Sequence, residues 1–245
     1  MKAMDTARSV RLGAVLSLLL LALGPAACTD DDKGKSSMGP ATLPSGPEPE
    51  VPVYTGPKFA DIEEAGAELA RLTGQPVRNF STFDFGRRQD ERCRSVIIRS
   101  EEDASNYPPK IRPKLPLGLV CYVGTQEWKD GSDHGDGTEL VIGPGADQFD
   151  YMRLARTRGR GSAMETELLI RRMTNLHVLY GIEIVQAEAD TVIFRWARPP
   201  WNYTKVSEDV YQTCPDLLGP FSDLATMGDL EAYLRKSHYV HLTWH

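Results

Sequence analysis

Beyond an N-terminal stretch, the first helical pattern of apolar positions is Phe59, Ile62, Ala65, Leu69 and Leu72, ended by Gly74 and Pro76. It predicts one amphipathic helix over 59–73. Runs rich in β-branched and apolar residues follow at 77–85, 94–99, 117–123 and 138–142, parted by Gly, Pro and Asp turns, and predict an antiparallel sheet. Ser162-Ala163-Met164-Glu165 fits a capping box, with a helix to about Tyr180. Met164, Leu168, Leu169, Met173, Leu176 and Leu179 would form its apolar stripe, with Arg171, Arg172 and Asn175 outward. After Gly181, the runs 182–186 and 191–196 read as a hairpin. Ser207 with Glu208 and Asp209 behind it predicts a helix stopped by Pro215; Thr226 with Asp229 predicts another to about Lys236, before a strand over 239–244. The expected fold class is α+β, a single largely antiparallel sheet covered by helices, built from residues 58–245 as one domain.

The start of the chain has a different pattern. Lys2, Arg8 and Arg11 precede a 12-residue apolar run, Leu12 to Leu23, and the small residues Gly24, Ala26 and Ala27 lead to Cys28 and a polar Thr29-Asp30-Asp31-Asp32. The run is too short to span a bilayer. The arrangement resembles the lipobox of bacterial lipoproteins, in which Cys28 would be the acylated first residue after removal of signal peptide 1–27. Pro25 stands where that pattern usually has Leu, Val or Ile, so plain secretory cleavage after Ala26 or Ala27 is the competing reading, and a buried N-terminal helix a third. Residues 28–57 hold six prolines and few large apolar groups, which predicts a disordered tether reaching on the order of 30 Å as a coil. The expected location is the bacterial cell envelope, lipid-anchored, or else the periplasm or exterior as a soluble protein.

Composition narrows the function classes. The 245 residues carry a formal charge of -6, and removal of 1–27, with Lys2, Arg8, Arg11 and Asp5, takes this to -8. An acidic total argues against a dedicated nucleic-acid binder. With Cys28 acylated, three cysteines remain. Cys93 and Cys121 both fall in strand-like runs, so a disulfide between neighbouring strands and two separately buried thiols are both open readings. Cys214 is expected as a buried thiol, and no CxxC pair supports redox chemistry.

Candidate chemistry is sparse. Asp130, Asp133, His134, Asp136 and Glu139 crowd a Gly-rich segment, but Ser132, His134 and Val141 stand where a calcium loop needs its third, fifth and twelfth ligands, and a polar turn is the expectation. His238 and His241 would point to opposite faces of a strand, so neither a metal nor a cofactor is expected. Arg153, Arg156, Arg158 and Arg160 lead into the helix expected at Ser162, where guanidinium groups and free amides would suit an anion; a solvated basic loop is the bland alternative. No nucleophile elbow or local triad signature exists. Asp216 and His245 are the candidates for an acid or base, in Cys214-Pro215-Asp216 and at the last position.

Several motifs carry a resemblance: Gly143-Pro144-Gly145, Asp147-Gln148-Phe149-Asp150, Arg153-Leu154-Ala155-Arg156-Thr157, Val210-Tyr211, Cys214-Pro215-Asp216 and Leu242-Thr243-Trp244-His245. Over roughly the last 100 residues, and more loosely from Leu115, the chain resembles the bacterial domain of unknown function 4253 family. Members typically end in Leu-Trp-Trp-Asp and carry Asn-Tyr after the Arg-Thr segment, where this chain has Thr243, His245 and Gly161-Ser162. The resemblance implies a compact α+β domain and no established activity.

Two functions compete. The first is a non-enzymatic binding or interaction domain displayed on a tether, with the membrane met through the lipid and an unknown protein or small anionic ligand as partner. The second is a hydrolase or transferase acting on an anionic substrate, with Arg153, Arg156 and Arg160 binding and Asp216 or His245 as acid or base, which requires those groups to share one cleft.

Overall fold

The computed structural model describes residues 56, 58–99, 103–125, 137–159, 164–220 and 222–245. The leader, Cys28 and most of the tether lie outside these residues, as do Arg160, Ser162 and the acidic segment around Asp130 to Asp136.

Helix α1 (Ile62–Thr73) starts where the Asp61 carboxylate accepts the Glu64 N–H and stops at Gly74, whose φ of 67° suits a residue without Cβ. A hairpin of β1 (Ser81–Phe83) and β2 (Arg88–Asp90) follows as a small two-stranded sheet. The main sheet has six strands: β3 (Arg94–Arg99), β4 (Leu119–Val123), β5 (Gly137–Pro144), β6 (Ile182–Ala187), β7 (Thr191–Trp196) and β8 (Tyr239–Thr243). Their spatial order is β3-β5-β4-β6-β7-β8, antiparallel throughout except for a parallel β4–β6 contact. The fold is thus mixed α+β and mostly antiparallel as expected, but with a second small sheet where one sheet was anticipated.

Alternation along β4 and β5 shows why helices cover both faces of this half. Val120, Tyr122 and Val141 enter one core; Cys121, Val123, Leu140 and Ile142 enter the other. The second core is closed by α1, through Ala65 and Leu69, and by the short α2 (Pro108–Ile111), through Ile111. The first lies under α3 (Phe149–Ala155), α4 (Thr166–Tyr180), α5 (Tyr203–Thr213) and α6 (Met227–Lys236). Tyr122 stacks on Tyr151 of α3 there, with ring centroids 5.0 Å apart.

Three helix expectations need correction. Helix α4 begins at Thr166, after an N-cap Glu165 whose side chain makes no capping bond, so Met164 precedes the helix although it is buried. Leu179 is 58% exposed, because the apolar stripe of α4 closes at Leu176. Helix α5 begins at Tyr203, capped by Asn202, whose side chain accepts the Lys205 N–H at 3.1 Å; Ser207 is one turn inside, its hydroxyl bonded back to the Thr204 carbonyl. The expected capping box at the head of α6 is present, with Thr226 and Asp229 exchanging bonds.

Of the two open readings for Cys93 and Cys121, the structure has the separately buried thiols. All three described cysteines are free and buried. Strand β5 lies between β3, which Cys93 precedes, and β4, which holds Cys121, so the two are two strand spacings apart, roughly 9–10 Å, beyond disulfide reach. They also sit in different cores.

Candidate functional site

The chain leaves β1 through Asp84, Phe85 and Gly86, three successive residues with φ of 53°, 58° and 81°. A left-handed conformation is ordinary for Gly and uncommon for Phe, so the surrounding packing holds this turn in place. Across from it, α3 ends at Arg156, also left-handed at φ 53°. These are the three non-glycine left-handed residues among the described positions. Next to Arg156 the chain is pinned: the buried Thr157 hydroxyl bonds the Glu188 carbonyl at 2.6 Å, and the Arg158 N–H bonds the Ala189 carbonyl at 2.9 Å.

The two turns face each other over a cleft of about 200 Å³, lined among others by Phe83, Asp84, Arg88, Arg156, Arg158 and Glu165. The Arg156 guanidinium lies 4.2 Å from the centroid of the Phe83 ring, and that of Arg88 lies 5.8 Å from it. Both are cation–π distances. Arg158 Nη2 stands 3.9 Å from Asp84 Oδ1, a loose ion pair. Among the described residues, Arg88, Arg156 and Glu165 make no ion pair within 4 Å.

Behind the cleft wall is a buried carboxylate. Glu139 of β5 is fully buried and accepts both the N–H of Thr82 at 3.0 Å and its hydroxyl at 2.5 Å, with Arg78 Nη1 at 3.4 Å. Burial pushes its carboxyl above the ordinary range, against the pull of the Thr82 and Ser95 bonds and of Arg78. Burial likewise lowers the Arg78 guanidinium, so desolvation outweighs the attraction on both sides of this long pair. Asp90, paired with Ser81 across the small sheet, is held below the usual carboxylate range chiefly by Arg92. Sequence reasoning grouped Glu139 with the loop acids. The signal against that grouping is its place within the strand-like run 138–142, immediately before Leu140-Val141-Ile142, which makes it a strand residue.

The sequence-nominated residues divide. Arg153 does not face the cleft as a free cation: it bonds Glu167 at 2.9 and 3.2 Å and Asp150 at 2.8 Å, which raises its pKa. Arg156 is itself the left-handed residue that ends α3, so it leaves the helix that carries Arg153. Arg158, noted as part of the arginine run, joins Arg156 in the cleft; Phe83 lies in the strand-like run expected at 77–85, whereas the strand that carries Arg88 has no sequence signal. Asp216 and His245 do meet, but through the backbone: Asp216 Oδ2 accepts the His245 N–H at 2.8 Å. Cys214 bonds the Thr243 carbonyl at 3.4 Å, and burial pushes its thiol up to about 12. No cluster of three metal-ligating side chains exists among the described residues.

Strands β5 to β8 with helices α3 to α6, closed by the buried Trp244, therefore form one continuous piece of chain beginning at the Glu139 strand. Residues 139–245 match a domain of unknown function, the DUF4253 family. None of the curated proteins or solved structures compared with the chain matches it. The DUF4253 segment contributes Arg156, Arg158 and Glu165 to the cleft, whereas Phe83, Asp84 and Arg88 precede it. The cleft thus straddles the boundary of the match.

Proposed function

We propose that this protein is a non-enzymatic binding domain, held at the bacterial envelope by acylated Cys28 and a tether over residues 28–57, and that it takes a small anionic group between Arg88, Arg156 and Arg158. The observation that carries the reading is the convergence of three guanidinium groups on one cleft, Arg88 from β2 and Arg156 and Arg158 from the segment after α3, two of them without a carboxylate partner among the described residues. Guanidinium forks stacked on an aromatic face keep their N–H edges available for an oxyanion. The residues nominated as acid or base are engaged elsewhere, Asp216 by the His245 backbone, which favours binding over turnover.

The experiment is calorimetric titration of the purified protein with inorganic phosphate and acetate, repeated on Arg156→Gln and Arg88→Gln. Saturable binding that either substitution weakens by about tenfold is the expected result. Binding that both variants retain would locate the anion elsewhere. Intact mass of protein made with its own leader tests the anchor: a diacylglyceryl-type increment on a chain beginning at Cys28 is expected, and a chain beginning at Met1 would overturn it.

A further inference from the structure

The cleft is not uniformly basic. Asp84 and Glu165 line it beside the three arginines. Glu165 is exposed, makes no capping bond to α4 although it holds the N-cap position, and has no ion-pair partner among the described residues. Asp84 is held only at 3.9 Å from Arg158. Charges of both signs therefore line one small cavity with little mutual pairing. A simple anion would satisfy the arginines and leave the carboxylates facing a like charge, which is unfavourable at this separation. At about 200 Å³ the cleft is also smaller than the roughly 300–1,000 Å³ that encloses a drug-sized ligand.

Resting on the anion-binding reading above, we infer that the occupant is a small zwitterion of the α-amino acid class, its carboxylate between Arg88 and Arg156 and its ammonium group toward Glu165 and Asp84. The carboxylate would receive the fork of Arg156, whose plane the Phe83 ring supports. The ammonium group would complete Glu165 and tighten the loose side of the Asp84–Arg158 pair. The Phe83 ring, 5% exposed and covered by these guanidinium groups, backs the cleft, so the ligand's side chain is a short one directed to solvent.

The test is titration of the full-length protein with L-alanine and with pyruvate, which keeps the carboxylate and lacks the ammonium group, and with inorganic phosphate, on the natural chain and on Glu165→Gln. The expected result is alanine binding at least about tenfold tighter than pyruvate, with Glu165→Gln erasing that preference by weakening alanine and strengthening pyruvate. Equal affinity for alanine and pyruvate, or tighter binding of phosphate than of either, would overturn the zwitterion and keep the anion site. Absence of binding by all three would overturn both. Far-ultraviolet circular dichroism of Glu165→Gln, an exposed position, separates lost folding from lost recognition.

Discussion

Thr82 and Glu139, 57 positions apart, are joined twice: the threonine N–H and hydroxyl both donate to the same carboxylate, at 3.0 and 2.5 Å. This double bond of β1 to β5 ties the hairpin that carries Phe83, Asp84 and Arg88 to the main sheet. Position of the cleft wall thus depends on an ionisable group that is fully buried.

That dependence gives a pH signature. Because the folded state binds the Glu139 proton more tightly than the unfolded chain, this group stabilises the fold most at and below the ordinary value of 4.5. Its contribution falls as pH rises from there through the elevated folded value. Denaturant titrations across pH 4.5 to 7 should show such a decline in the natural protein and a flatter profile in Glu139→Gln. Glu139→Leu, which takes the acceptor from Thr82 and Arg78, should cost about 1–3 kcal/mol. Parallel pH profiles for the natural chain and Glu139→Gln would mean that Glu139 does not titrate differently on folding.

Glu68 acts in the opposite sense. Its bonds to Arg71 and Lys114 hold its carboxyl down at about 2, so its contribution is present above 4.5 and is lost as pH falls through that interval. Its main partner, Arg71, is largely exposed, which keeps the effect small. Glu68→Gln should leave neutral stability within about 0.5 kcal/mol and shallow the acid limb of the profile. An unchanged acid limb would remove Glu68 from the account.

How far the sequence could reach depended on the range of each interaction. The Thr226–Asp229 box and the hairpin 182–196 were legible because their geometry is set within a few residues. The start of α5 at Asn202 was missed because Ser207, Glu208 and Asp209 offer an equally good local start, and packing of Val206 and Val210 selects the longer helix. The cleft was half legible. Arg156 and Arg158 stood out as a basic run, but Phe83 and Arg88 reach them through the tertiary bond of Thr82 to Glu139, which leaves no local pattern. Strand order was equally hidden, and with it the separation of Cys93 from Cys121 by β5.

The thiols give a direct count. Burial pushes Cys93 up to about 11 and both Cys121 and Cys214 up to about 12, so none is a thiolate near neutral pH. Maleimide should leave all three unmodified in the native protein and label them in denaturant without prior reduction. Protein bearing acylated Cys28 should reach three adducts; protein with that thiol free should reach four, which matches the four cysteines of the chain. A gain of label after reductant would restore a disulfide.

Gly143 is a packing constraint. A Cβ there would stand 2.7 Å from Cys93 Sγ and 2.8 Å from Leu154 Cδ1. Gly143→Ala should cost about 1–3 kcal/mol in chemical denaturation. Pairing it with Cys93→Ala, which opens the crowded side, should cost less than the two single changes together. Strict additivity would show that the sulfur is not the obstacle.

The boundary of the DUF4253 match falls inside the sheet. Residues 139–245 contain β5 and β6, yet β4, which precedes the match, lies between them and pairs with both. Cutting the chain at 139 would leave β5 with neither of its neighbours, strip Val120 and Tyr122 from the main core, and unstack Tyr151. It would also remove the Thr82 bonds and leave the Glu139 carboxylate without them. Burial of two large core side chains is worth about 1.5–3 kcal/mol each, comparable with much of a small domain's net stability. A fragment of residues 139–245 should therefore show poor amide dispersion and no cooperative thermal transition, while residues 58–245 should melt as one unit. Adding a 58–138 fragment should restore structure to the shorter piece, because it supplies the missing strands. A well-dispersed spectrum from 139–245 alone would show that β5 and β6 can close on each other without β4, and that the preceding residues are an addition to the fold instead of part of it.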